Sequence, residues 1–398
     1  MVPDGWENEV FGKIVNLSRE KYDPKKSSIN FPCIELEHLT QETGRIIGYA
    51  DSTKLESTKN KFKAGNVLFG KLRPYLKKYA KPDFDGVCSS EIWVFLPTKK
   101  LNADYLFQLV QTDTFIAEAN KSAGSKMPRA DWNIISEFLF PLPPLPEQRR
   151  IAQILSTWDK TIITVEKLLA NDKQQKKILM QQVLTGKRRF FEFHKKWKKV
   201  NLSEISFINP KKPLPPLNGK VTFLPMEAVS EEAKITKFEC RDYSAVSKGF
   251  TSFIDKDVLV AKITPCFENG KGGYAENLTN GIGFGSTEFH VIRAKDGFCS
   301  KFIYYITNTV EFRVKGEMNM QGSAGQKRVT TDYLNFYSLT IPPTLKEQQK
   351  ISSLLSILDR KIEILRQKLT CLKQEKKALM QQLLTGKRRV KVAEINNA

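Results

Sequence analysis

Residues 179–190 read LMQQVLTGKRRF and residues 379–390 read LMQQLLTGKRRV, the same basic sign-off twice, 200 residues apart. Extending the match back to Glu147 and Glu347 needs no gap, and about half of the positions agree, the mark of an internal duplication. Each copy opens with prolines, PLPPLPEQRR at 141–150 and IPPTLKEQQK at 341–350, and closes at T-G-K-R-R. Proline followed by acidic residues predicts the first turn of a helix, and Gly186 and Gly386 predict its left-handed end. Between these signals Ile151, Leu155, Trp158, Ile162, Val165 and Leu169 step by four and three, as do Ile351, Leu355, Leu358, Ile362, Leu365 and Leu369. That spacing predicts a coiled-coil seam, broken at Asp172 and Lys176 in the first copy and at Lys376 in the second. Each helix spans about 38 residues, roughly 57 Å, and an amphipathic rod of that length needs a partner, so the two are expected to pair with each other.

The segments ahead of the helices are diverged copies as well. GNVLFGKLRPYL (65–76) matches KDVLVAKITPCF (256–267), each an apolar strand, a lysine and a turn at proline. CSSEIWVFLP (88–97) matches GSTEFHVIRA (285–294), a helix follows each, and then comes a small-residue basic loop, SAGSKMPR (122–129) or QGSAGQKR (321–328). The chain thus divides into a globular domain (1–143), a long helix (144–190), a second globular domain (191–342) and a second long helix with a tail (343–398). The fold class is α+β, two similar mixed α/β domains separated by a pair of long antiparallel helices. An antiparallel hairpin is expected to place the domains at opposite ends, with an approximate two-fold axis across the rods.

Composition narrows the partner. The 64 Lys and Arg outnumber the 43 Asp and Glu, a net charge of +21, while the 40% of hydrophobic residues is that of a folded protein. Such an excess points to a polyanion, nucleic acid ahead of a membrane surface, because the cations are spread over globular segments rather than one amphipathic face. No apolar run approaches membrane-spanning length and MVPDGWENEV lacks a signal peptide's apolar core, so a cytoplasmic location is expected. The six cysteines form no C-x-x-C and are read as buried thiols.

No segment of the sequence carries a complete catalytic pattern. T-G-K-R carries Gln181 where a phosphate-binding loop needs its first glycine. Gly281, Gly283 and Gly285 are read as a turn, and Asn209-Pro210-Lys211 lacks the second proline and aromatic ring of an amino-methyltransferase tetrapeptide. His38, His194 and His290 are too dispersed for a metal site and are read as surface or strand residues.

The order of domain, P-P-L-x-E-Q helix ending at T-G-K, domain and second such helix resembles the DNA specificity subunit of type I restriction-modification systems. The likeness spans essentially the whole chain, although Thr344 and Lys346 make the second proline cluster sparser. It implies two target-recognition domains, each reading one half of an asymmetric bipartite target in double-stranded DNA, with the helix pair setting the gap. It further implies a noncatalytic chain that holds two modification (methyltransferase) subunits and restriction (translocase/endonuclease) subunits. Cofactors are expected on those partners, namely S-adenosylmethionine, ATP and Mg, with none bound by this chain. A stand-alone bipartite DNA-binding adaptor is the competing reading, which copurification separates.

DNA contacts are expected from Lys71, Arg73, Tyr75, Lys77, Lys78, Lys126 and Arg129 in the first domain and from Lys262, Lys271, Lys327 and Arg328 in the second. Arginine suits the paired acceptors of guanine and lysine suits phosphate. Glu91 and Glu288, at matching places, have a structural or base-reading role. The K-R-R at 187–189 and 387–389 is read first as compensation of the helix dipole and second as a contact to DNA backbone. Gln181, Gln182, Gln381 and Gln382 are read first as interface polar residues and second as good helix formers. Off-seam Ile154, Leu354, Ile163, Ile357 and Ile364 either widen the core stripe or, preferably, receive the modification subunits.

Overall fold

Both long helices form, over Leu145–Leu184 and Leu345–Leu383. The computed structural model describes residues 2–27, 29–121, 127–323 and 325–391. Two compact units divide the chain, one of Met1–Lys167 with Gln367–Ala398, the other Leu168–Arg366, so that each helix gives one half to each unit. The physical reason lies in the cores. In the first unit Ile151, Ala152, Leu155, Leu383 and Leu384 share one buried cluster with Phe11, Phe69, Phe95, Tyr105 and Phe115. In the second, Val183, Leu184, Ile351 and Leu355 join Leu202, Phe302, Phe312 and Ile341. The rods are therefore built into the domain cores.

In the first unit a four-stranded sheet runs in the order Val15–Leu17, Ile92–Pro97, Val67–Gly70, Tyr79–Ala80, with Val94 opposite Leu68. A five-stranded sheet carries one parallel pair, Pro32–Ile34 with Gly86–Cys88. The second unit repeats the plan: Ser206–Ile208, Phe289–Ala294, Val258–Ala261, Gly272–Tyr274, with Val291 opposite Leu259, and a second sheet whose parallel pair is Lys220–Leu224 with Ile282–Gly285. Strand order survives where sequence has drifted, and in both units the central strands, Val67–Gly70 and Val258–Ala261, are buried at every position.

Within each unit the helix halves run antiparallel. Ile151, Leu155, Ile162 and Val165 are buried in the first helix, and Ile351, Leu355 and Ile362 in the second. Trp158, Leu169, Leu358, Leu365 and Leu369 are half-buried. The breaks in the seam are cross-helix ion pairs. In the first unit Lys376 meets Asp159 at 2.6 Å; in the second Lys176 meets Asp359 at 2.5 Å. These are the same two positions with the helices exchanged, as a duplicated antiparallel pair demands. Asp359 also accepts from the Tyr305 hydroxyl at 2.7 Å, and Lys361 meets the buried Asp172 at 2.9 Å. Charged layers inside an apolar seam fix register at some cost in stability.

The E-Q dipeptide after each proline cluster closes the unit. Glu147 accepts from Arg389 Nε and Nη2, both at 2.8 Å, and from Trp6 Nε1 at 3.0 Å. Glu347 accepts from Arg189 Nε at 2.9 Å and Nη2 at 3.1 Å and from Trp197 Nε1 at 3.0 Å. Gln148 and Gln348 bridge to Asn102 N and Cys299 N, so one residue ties each helix start to a domain. Arg189 and Arg389 thus pair with the opposite helix's first turn instead of compensating their own dipole, a correction to the expectation from sequence. Lys187, Arg188, Lys387 and Arg388 are exposed.

Other readings change too. Only Cys33 and Cys88 are buried; Cys266 and Cys299 are half-buried, and Cys240 and Cys371 are exposed. Gly281 ends a short turn, but Gly283 and Gly285 lie in the strand Ile282–Gly285. A Cβ on Gly283 would come within 2.0 Å of the Phe253 ring, so close packing demands the glycine there. Among the described residues no helix is long and apolar enough to cross a membrane and no group of His, Cys, Asp and Glu could hold a metal.

Candidate nucleic-acid interface

The strand Val67–Gly70 delivers Lys71 to a place where three segments meet. Lys71 N donates to Glu91 O at 2.9 Å, Ala130 N to Lys71 O at 2.8 Å, and Arg73 N to Pro128 O at 2.8 Å. The turn Ser89-Ser90-Glu91 is tied by Glu91 N to Ser89 Oγ at 3.4 Å, and Arg129 Nε reaches Glu91 Oε2 at 3.1 Å. The second unit reproduces this arrangement from different residues. Lys262 N donates to Glu288 O at 2.7 Å, Val329 N to Lys262 O at 2.9 Å, and Thr264 N to Lys327 O at 2.9 Å. Glu288 N donates to Ser286 Oγ at 3.2 Å, and Arg328 grips Glu288 with Nε at 3.0 Å and Nη2 at 2.9 Å.

The pairing of each glutamate with an arginine about 40 residues on is what sequence reading missed, because nothing local announces it; matching S-x-E and basic-loop motifs at both copies were the available signal. The arginine side chains are 52% and 45% exposed. Pairs this open contribute little to folding. The carboxylate fixes the orientation of each guanidinium at the surface; in Arg328, Nε and Nη2 are taken up by Glu288 and Nη1 donates to Gln326 O at 3.2 Å.

The remaining expected contacts divide into those at this surface and those elsewhere. Lys71, Arg73 and Lys327 make no side-chain hydrogen bond or ion pair among the described residues, and Arg73, Tyr75 and Lys327 are exposed. Lys262 is half-buried, its amine donating to Thr287 O at 2.8 Å, and burial pulls its pKa down. Lys271 is half-buried at the start of the hairpin strand that follows it. Lys77 is engaged inside, at 3.0 Å from Asp113 and 3.3 Å from Glu42, in a crevice of about 660 Å³ between the first domain and its helix halves. Burial opposes its charge, yet the two carboxylates hold its pKa above the ordinary value. The Lys78 amine donates to Leu36 O at 2.6 Å. Neither lysine joins the Lys71–Arg129 cluster. Lys126 lies outside the described residues.

A family model described as "Type I restriction modification DNA specificity domain" matches residues 3–171 and again 194–374. The chain belongs to that family. Both matches take in one Lys–Glu–Arg cluster. Among curated relatives, the type I restriction enzyme EcoAI specificity subunit of Escherichia coli is 37% identical over 43% of this chain and 30% of its own length. The EcoEI specificity subunit of the same organism is 33% identical over 46% of this chain and 31% of its own. The chain therefore spans about a third of those relatives. The putative type I restriction enzyme MjaX specificity subunit of Methanocaldococcus jannaschii is 25% identical over 98% of this chain and 95% of its own. A crystal structure of the type I restriction-modification system S subunit from M. genitalium shares the fold, with a TM-score of 0.60 at 12% identity over 95% of this chain and 96% of that one. A chain from a study of complex assembly in the type I R-M system scores 0.60 at 21% identity, over 98% of this chain and 100% of that one.

Proposed function

We propose that this member of the specificity-domain family is the DNA-reading subunit of a type I restriction-modification complex. One globular domain reads each half of an asymmetric bipartite target, and the helix pair sets the unread gap. The observation that carries the reading is the duplicated Lys–Glu–Arg cluster, Lys71–Glu91–Arg129 and Lys262–Glu288–Arg328, in a chain of net charge +21. Phosphate attraction supplies affinity without sequence, and the paired arginines supply base readout. The chain itself performs no catalysis in this account. Two modification subunits bring S-adenosylmethionine, restriction subunits bring ATP and Mg, and the complex works in the cytoplasm. Of the off-seam apolar residues, Ile154 and Leu354 pack on the unit cores and Ile163 lines the crevice, whereas Ile357 and Ile364 are 64% and 57% exposed and suit a modification subunit.

Mapping methylated adenines in cells that express the chain with its modification subunit tests this. One motif with two defined parts and an undefined gap is expected, and exchanging residues 1–143 for another recognition domain is expected to change one part only. A continuous motif, or both parts changed, contradicts the reading. At the residue level, Arg328→Ala is expected to relax one base position in the second domain's half-site by about 1–3 kcal/mol of discrimination. Competition binding against duplexes substituted at each position measures it; uniform weakening at every position would assign Arg328 to phosphate instead.

A further inference from the structure

In the second domain the strand Ser206–Ile208 is followed by NPKKPLPPLNGK, residues 209–220. Leu214 is 85% exposed and Leu217 is fully exposed, the two most open leucines among the described residues. Two leucines so close together in sequence, both open, give this segment an apolar tip.

The support is stiff. Pro213, Pro215 and Pro216 restrict the backbone to extended conformations. Asn209 roots one end, its Oδ1 accepting from Val291 N at 3.0 Å and its Nδ2 meeting His290 Nδ1 at 3.1 Å. His290 in turn is buried and bonded through Nε2 to Val329 O at 2.9 Å. Burial holds its pKa down at about 4, so the ring is neutral and the root stays intact at physiological pH. Further along, the Tyr243 hydroxyl donates to Pro213 O at 3.3 Å, the Lys212 amine donates to Ser247 O, and Gly219 N closes a turn on Pro216 O at 3.1 Å. What remains free is the apolar tip, with Lys211 exposed at its base.

The root lies beside the proposed reading cluster: Val329 follows Arg328 in the strand Arg328–Val329, and His290 stands two residues past Glu288, which occupies the turn leading into the strand Phe289–Ala294. The first domain carries a shorter related segment between the strands Lys21–Tyr22 and Pro32–Ile34: DPKKSSIN, residues 23–30, with Lys25 and Lys26 exposed and Ile29 61% exposed. Both domains thus carry Pro-Lys-Lys followed within three residues by an exposed aliphatic side chain, Ile29 or Leu214.

We propose that the 210–219 spur is an apolar DNA wedge: Leu214 and Leu217 press against base steps of the duplex held by the Arg328 cluster, while Lys211 faces phosphate. Apolar side chains on rigid supports partly unstack base steps and bend the duplex toward greater contact, at a cost of a few kcal/mol that the extra contact repays. The spur is preorganised, so little ordering entropy opposes binding. The inference rests on the DNA-reading role proposed above.

The test uses the complex with modification subunits and a duplex bearing the mapped target, with 2-aminopurine at successive positions of the second domain's half-site. The wild-type complex is expected to raise fluorescence at one step through unstacking. Leu214→Ser with Leu217→Ser is expected to abolish that rise and weaken binding roughly 10-fold to 100-fold. Because both side chains are exposed, the variant should fold and retain its subunits, which circular dichroism and copurification check. Equal affinity and equal fluorescence in the variant overturn the wedge, and so does loss of the modification subunits, which would make the spur a protein contact. Failure of the wild-type complex to bind any duplex would instead sink the DNA-reading role itself.

Discussion

Glu347→Ala is expected to lower the stability of the second unit by about 3 to 5 kcal/mol. The Glu347 carboxylate is 1% exposed and receives three donors, two from Arg189 and one from the Trp197 indole. Removing it strands a guanidinium that is only a quarter exposed together with an indole N–H, and each uncompensated buried donor is costly. The same carboxylate links the start of the second long helix to the end of the first, so the loss falls on the contact that closes the unit. Glu347→Gln keeps an acceptor for the indole and is expected to cost less, about 1–3 kcal/mol. Shifts in urea midpoint at unchanged slope measure both; an alanine variant within about 1 kcal/mol of the parent would show that the three donors find other partners.

The first unit's equivalent carries a pH signature. Burial pushes the Glu147 pKa up, but hydrogen bonds from Arg389 and Trp6 and the arginine's charge outweigh it, and the group is held below the ordinary glutamate value. Its contribution is therefore complete at neutral pH and is lost as the pH falls below about 4.3 and through the folded-state value. Arg389→Ala should remove that acid-sensitive part.

The duplication and both helices were legible in sequence because they rest on local spacing: a four-three apolar step, proline at one end and glycine at the other. The partners of the polar residues were not. Asp172 and Lys176 read as defects in an apolar stripe, yet each faces an opposite charge on the antiparallel helix, about 190 positions away. Glu147 and Glu347 read as first-turn acids, and their true partners lie 242 and 158 residues off. One clue was present, since Trp6 and Trp197 stand just ahead of the first strand in both domains. Of the expected DNA contacts, Lys77 and Lys78 sit in a dense basic run yet turn inward to carboxylates and a carbonyl, a distinction that composition cannot make. The Glu91–Arg129 and Glu288–Arg328 pairs emerge only when strands distant in sequence are laid side by side.

In the proposed function the two long helices act as a ruler between half-sites. Inserting four residues between Lys167 and Leu168 and four between Arg366 and Gln367, where the compact units divide, lengthens both rods together. At 1.5 Å per residue the separation grows by roughly 6 Å, about two base pairs at 34 Å per turn of about 10. The cores, the Glu–Arg clusters and the closing carboxylates all lie away from the insertion points, so the half-sites should be untouched. Methylome sequencing of cells carrying the double insertion is the most direct measurement: the account predicts both half-sites unchanged and the gap between them longer, whereas altered half-sites with an unchanged gap would contradict it.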